Sequence, residues 1–106
     1  MAGPLHWCFI DGRRMPLAEA RISPLDRSFL FGDGIYEVMP VYGGRLFRPY
    51  LHFDRLARSA AALRLANPHT RDEWQALLAE LVSANGGGDQ CVSALVVGGD
   101  QQFTLV

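Results

Sequence analysis

Lysine is absent from this chain. All ten basic residues are arginine: Arg13, Arg14, Arg21, Arg27, Arg45, Arg48, Arg55, Arg58, Arg64 and Arg71. No side-chain amine is on hand for covalent chemistry with a carbonyl. Each cation is instead a planar fork that stays charged and can grip a carboxylate or phosphate at two points. Cysteine is scarce. Cys8 and Cys91 lie far apart and form no CxxC pair. Two reduced core thiols of a cytoplasmic protein are expected, with a disulfide between them the lesser alternative. His6, His52 and His69 lack metal-ligand spacing, so no metal site is expected. Excess charge is missing too: the net charge is -1, and no basic surface points to nucleic acid. No apolar run approaches the length of a membrane span. Met1 to Trp7 shows no charged start followed by an apolar run, so no signal peptide is expected.

What is present is an ordinary globular composition, 49% hydrophobic and 20% charged over 106 residues. That suits one small domain, burying about 60–70% of the surface its unfolded chain exposes. Trp7 to Ile10 reads as a strand. Asp11-Gly12 is a strong hairpin signal, with Arg13 to Pro16 returning. Leu17 to Phe31 follows neither helical nor strand periodicity; Ser23-Pro24 and Asp26 favour turns. Gly32-Asp33-Gly34 is a break. Ile35 to Tyr42 is β-branched and aromatic and predicts a strand. Pro40 within it calls for an edge position or a bulge. Gly43-Gly44 turns the chain into a partner strand, Arg45 to Arg48.

Pro49 suits the first turn of a helix. Apolar residues at Phe53, Leu56, Ala57, Ala60 and Leu63 then predict a helix face running to about Leu65, ended by Asn67-Pro68. Thr70 and Glu73 form a capping box for a second helix burying Trp74, Leu77, Leu78 and Leu81, with Asn85-Gly86 as its C-cap. Cys91 to Val97 predicts a strand, Gly98-Gly99 a turn, and Gln101 to Val106 a last strand. Helices grouped between antiparallel hairpins indicate an α+β fold, with both helices on one face of the sheet.

Several residues offer chemistry. Arg55 lies one step off the helix's apolar stripe and can leave the core side; its fork can take a phosphate, or simply pair with Asp54 in solvent. Tyr36, Val38, Pro40 and Tyr42 share one strand face, able to floor a pocket. Glu37 falls on the other face with Ile35, Met39 and Val41. A carboxylate there needs a partner or exposure; a general-acid role stays open to it, with nothing in the pattern to support it. Gly32-Asp33-Gly34 precedes a strand rather than opening a helix, so it lacks the dipole that phosphate loops use. Singly, each residue is explained as well by ordinary structure.

Their order is more specific. Asp26-Arg27, Phe31 to Val38, Val41 to Gly44 and His52 to Leu56 follow at short spacing. This resembles the N-terminal domain of the class IV (fold-type IV) pyridoxal-phosphate aminotransferases, which include D-amino-acid, branched-chain and 4-amino-4-deoxychorismate enzymes. Gly-Ile-Tyr-Glu-Val, with Tyr36, looks most like the D-amino-acid transaminases. The resemblance implies pyridoxal 5'-phosphate as cofactor, with Arg55 on its phosphate. It implies Tyr36 on the substrate carboxylate and Val38 and Pro40 shaping the pocket. It further implies an amino acid and a 2-oxo acid as substrates, and a dimer whose subunits share each site.

In that family the Schiff-base lysine belongs to a second domain, and none of these 106 residues can replace it. The family's Thr-Arg-Gly turn after the strand ending at Val97 is also replaced by Gly98-Gly99. Residues 1–106 alone are therefore expected to be inactive, with no catalytic residue of their own. A D-amino-acid transaminase is the leading expectation for the whole. A branched-chain aminotransferase or 4-amino-4-deoxychorismate lyase is the alternative within the family. A non-catalytic α+β module that dimerises is the alternative outside it.

Overall fold

The computed structural model describes residues 7–21, 23–25, 34–97 and 100–105. Asp26, Arg27, Phe31, Gly32, Asp33, Gly98, Gly99 and His6 fall outside that set, so the expected break at Gly32-Asp33 and turn at Gly98-Gly99 do too. The fold is α+β. Strands β1 (Trp7–Ile10) and β2 (Arg13–Pro16) form the first hairpin, followed by a short 3-10 turn at Leu17–Glu19. Strands β3 (Gly34–Tyr42) and β4 (Arg45–Leu46) form the second. Helices α1 (Pro49–Ala62) and α2 (Arg71–Ala84) follow, then β5 (Gln90–Val97) and β6 (Asp100–Leu105). These six strands join one antiparallel sheet in the order β2-β1-β6-β5-β3-β4.

Both hairpin turns use two residues with positive φ. Asp11 and Gly12 sit at 52° and 78°, Gly43 and Gly44 at 58° and 80°. That pair of left-handed residues is what a two-residue turn needs to match the strands' twist. The second hairpin then stops early, and Pro40 explains why. The Phe47 N–H donates to the Pro40 carbonyl at 2.9 Å. Pro40 has no N–H to return, so the ladder ends after Leu46. The expected edge position is thus met in an unexpected way: β4 pairs only with Val41 and Tyr42. Among the described residues, Gly34 to Met39 have no strand on that side.

The core lies between the sheet and the helices. Ile35, Met39 and Val41 of β3, Val92, Ala94 and Val96 of β5, and Phe9 of β1 meet Phe53, Leu56 and Ala60 of α1 and Trp74, Leu78, Leu81 and Val82 of α2. Burying each of the larger side chains contributes about 1.5–3 kcal/mol. Three expectations are corrected. Helix α1 ends at Ala62 rather than near Leu65, because Arg64 turns left-handed at φ 57°. The Leu65 N–H then reaches back to the Ala60 carbonyl and the Arg64 N–H to Ala61, a Schellman closure completed before Asn67-Pro68 is reached. Ala57 and Leu63 are exposed, so the buried stripe is narrower than the apolar pattern. In α2, Leu77 is half-buried and Val82 fills the fully buried position instead. The capping box at Thr70 and Glu73 is present, and Gly86, at φ 94°, closes α2 as expected. Both cysteines are free thiols, and burial pushes the Cys8 thiol above its usual pKa.

Candidate functional site

Strand β3 alternates strictly. Ile35, Glu37, Met39 and Val41 are buried beneath the helices, whereas Tyr36, Val38 and Tyr42 are 67%, 41% and 58% exposed on the opposite face. Pro40 is half-buried on that same open face. Phe47 extends it, meeting the Tyr42 ring edge to face with centroids 5.6 Å apart. The strand pattern therefore places Tyr36, Val38 and Pro40 together as expected.

Arg55 is elsewhere. It projects from α1 toward the buried face of β3 and meets Glu37. Its Nε donates to Glu37 Oε2 and its Nη2 to Glu37 Oε1, both at 2.7 Å. His52, one turn earlier on the same helix face, lies with Nδ1 2.9 Å from Oε1. Asp54, the expected alternative partner of Arg55, is taken by Arg71 through two bonds of 2.9 and 2.7 Å. Glu37 is 8% exposed, while the Arg55 side chain keeps 57% of its surface. The pair is thus a buried carboxylate holding a half-exposed guanidinium.

Burial raises the Glu37 pKa, but hydrogen bonds and charge from Arg55 and His52 outweigh it and hold the carboxyl below its usual range. Glu37 is therefore an ionised acceptor and no general acid. An ionised carboxylate cannot donate, so His52 Nδ1 carries the proton of that contact. Arg55 is held more firmly protonated by the same carboxylate.

Arg55 and Tyr36 point to opposite faces of β3. The strand edge at Gly34–Met39 lies between them, and no described strand covers it. A ligand that contacts both must reach over this edge. Glu37 and His52 had no assigned role in the sequence. The signal was available: a carboxylate alternating onto an apolar strand face, and a His and an Arg three apart on the next helix.

A mixed domain of this kind, one antiparallel sheet backed by two helices, is shared with known aminotransferases. A branched-chain aminotransferase from Thermoproteus uzoniensis, solved with norvaline, superposes with a TM-score of 0.85 over 97% of this chain and 41% of that one, at 24% identity. The T.th. branched-chain amino acid aminotransferase, solved with pyridoxamine 5'-phosphate, gives 0.83 over 96% of this chain and 40% of that one, at 22% identity. At such identities the likeness shows the fold. The sequence goes further. A D-alanine aminotransferase of Staphylococcus haemolyticus is 40% identical over 77 residues, 73% of this chain and 27% of that protein. The chain thus spans about a quarter of the length of the curated relative. The model of the family "Amino-transferase class IV" matches residues 34–105. The chain belongs to the class IV aminotransferase family.

Proposed function

We propose that this chain forms the phosphate and carboxylate wall of a pyridoxal-phosphate site, in a transaminase that moves an amino group from a D-amino acid such as D-alanine to a 2-oxo acid. The observation that carries this is Arg55: a half-exposed guanidinium whose orientation is fixed by Glu37 while Nη1 has no partner among the described residues. That arrangement fits a phosphate dianion, which asks for a charged, planar donor with free N–H groups. When bound, pyridoxal phosphate supplies the electron sink through which an amino group leaves one carbon skeleton and enters another.

The chain's own residues bind and orient. Arg55 holds the phosphate. The exposed Tyr36 phenol offers its O–H to the substrate carboxylate across the open edge of β3, and Val38 and Pro40 shape the apolar wall beside it. The Schiff-base lysine lies outside these 106 residues, and a second subunit completes the site. Identity to a D-alanine aminotransferase supports the D-amino-acid reading. The open face of Tyr36, Val38 and Tyr42 also favours a second reading, a module that associates with its own kind without catalysis.

A chimera separates these. Residues 1–106 are joined to the remaining length of the Staphylococcus haemolyticus relative. The expected result is transamination between D-alanine and 2-oxoglutarate, absent from residues 1–106 alone. Turnover of branched-chain L-amino acids instead would move the assignment within the family. A folded, dimeric chimera without turnover would favour the associating module.

A further inference from the structure

A guanidinium has two usable edges, and among the described residues only one edge of Arg55 is taken. Glu37 occupies the edge formed by Nε–H and one Nη2–H, through two bonds of 2.7 Å. The end of the fork, one N–H from Nη1 and the outer N–H of Nη2, is left facing away from the carboxylate. His52 Nδ1 lies 3.4 Å from Arg55 Nη2, but since Nδ1 already donates to Glu37, two donors face each other there and no hydrogen bond forms. We infer that Glu37 is a positioning residue: by gripping one edge of the Arg55 guanidinium it presents the opposite fork to a phosphate. The inference rests on the reading of Arg55 as the phosphate contact.

Three observations carry it. Glu37 sits in the middle of a nine-residue strand, on a face otherwise filled by Ile35, Met39 and Val41, so its carboxylate has little freedom. His52 holds Oε1 from a second direction at 2.9 Å. Arg55, by contrast, is a long side chain with most of its surface in solvent, and free it would sample many rotamers. A rigid acceptor anchoring a mobile donor removes that sampling before any ligand arrives, and preorganisation of this kind appears as affinity. One effect opposes it: the Glu37 charge repels a phosphate dianion. That repulsion acts from behind the guanidinium, and at an exposed arginine solvent and salt screen it. Orientation is local and is not screened, so the net effect of Glu37 is expected to be tighter binding. Lysine at position 55 would not serve, because a point charge cannot engage a carboxylate on one edge and a phosphate on the other.

The test compares pyridoxamine 5'-phosphate with pyridoxamine as probes, by ligand-observed NMR titration of the chain. Neither probe carries an aldehyde, so the affinity difference isolates the phosphate. The wild-type chain is expected to prefer the phosphorylated probe, and Arg55→Ala to abolish the preference. Glu37→Gln is expected to reduce the preference about 3–10-fold, the loss expected when one of two charge-assisted bonds orienting a donor is removed. In the Arg55→Ala background the same substitution should change nothing. Unchanged or tighter phosphate binding by Glu37→Gln, with Arg55→Ala still damaging, overturns the inference and leaves the Arg55 reading standing. No preference in the wild-type chain, or one that survives Arg55→Ala, removes the reading itself. If Glu37→Gln does not fold, the wild-type Arg55 Nε–H decides: slow exchange with solvent, and its loss in Glu37→Asp, is expected, whereas fast exchange in the wild type rejects the clamp.

Discussion

The side-chain amide of Asn85 hydrogen-bonds both backbone groups of Trp7. The Trp7 N–H donates to Asn85 Oδ1 at 3.0 Å, and Asn85 Nδ2 donates to the Trp7 carbonyl at 3.0 Å. The same Nδ2 donates to the Leu81 carbonyl at 2.9 Å, one turn back on α2. One residue thus closes the C-terminus of α2 and ties it to β1. Asn85→Ala would leave two part-buried strand groups without their partner. It is expected to cost about 1–3 kcal/mol. Urea denaturation checks this, and a loss below about 0.5 kcal/mol, typical of a surface change, would show that water replaces the amide.

Acid is expected to destabilise the chain. Burial pushes Glu37 up, yet Arg55 and His52 bring it below its usual range; the Arg71 hydrogen bond lowers Asp54, and the Thr70 backbone lowers Glu73. A carboxylate whose folded pKa is depressed contributes stability that is full above its unfolded pKa and is lost as pH falls through the folded value. Melting temperature should therefore fall below about pH 4. Glu37→Gln removes one of the three contributions, so the gap between wild type and variant should be widest near neutrality and shrink in acid. A gap independent of pH would mean that the Glu37 charge does not contribute.

Arg64 occupies a position where glycine is the easy choice. At φ 57° it forms the left-handed residue of the α1 closure. That conformation costs a residue with a side chain about 1–2 kcal/mol, partly offset because glycine gains entropy in the unfolded chain. Arg64→Gly is expected to raise stability by about 0.5–1 kcal/mol. A lower urea midpoint for the variant would show that the arginine side chain makes a compensating contact.

The open face of β3 should drive self-association. Tyr36, Val38, Tyr42 and Phe47 are 67%, 41%, 58% and 43% exposed on one patch. Contiguous apolar surface of this kind is uncommon on monomers. Sedimentation at micromolar concentration is expected to show a second copy bound, and Val38→Glu to return the chain to monomer. A single monomeric species of the wild-type chain, stable for days, would show that the domain closes its own surface.

Much of the fold was legible because local chemistry and tertiary structure agree. Asp11-Gly12 and Gly43-Gly44 demand tight turns whatever surrounds them, Thr70 and Glu73 cap a helix from within four residues, and the alternation of β3 sorts its two faces. What escaped was either a backbone conformation that the residue type does not favour or a matter of partners distant in sequence. Nothing near Arg64 announces a left-handed residue, since arginine does not favour it, so α1 reads longer than it is. Leu77 and Val82 both fit the apolar pattern of α2; only the position of the sheet decides which is covered. Arg55 was legible as a candidate through family resemblance, and Tyr36, Val38 and Pro40 through strand alternation. The grip of Glu37 on Arg55 spans 18 residues and two elements: alternation shows that a carboxylate on the buried face needs a partner, and the packing of α1 on β3 decides which residue it is.

The strand order has a consequence for the growing chain. β6 follows all the other described strands in sequence yet lies between β1 and β5, so among the described strands it alone links the first hairpin to the rest of the sheet. During synthesis β1 and β2 emerge first and can pair with each other, while β3, β4 and β5 later assemble beneath α1 and α2. Until residues 100–105 clear the ribosome, the two halves have no shared ladder, and the β5 edge and the inner edge of β1 stand open to other chains. The order of translation thus places the most aggregation-prone interval of this domain late, and sets its end by the arrival of a single six-residue strand.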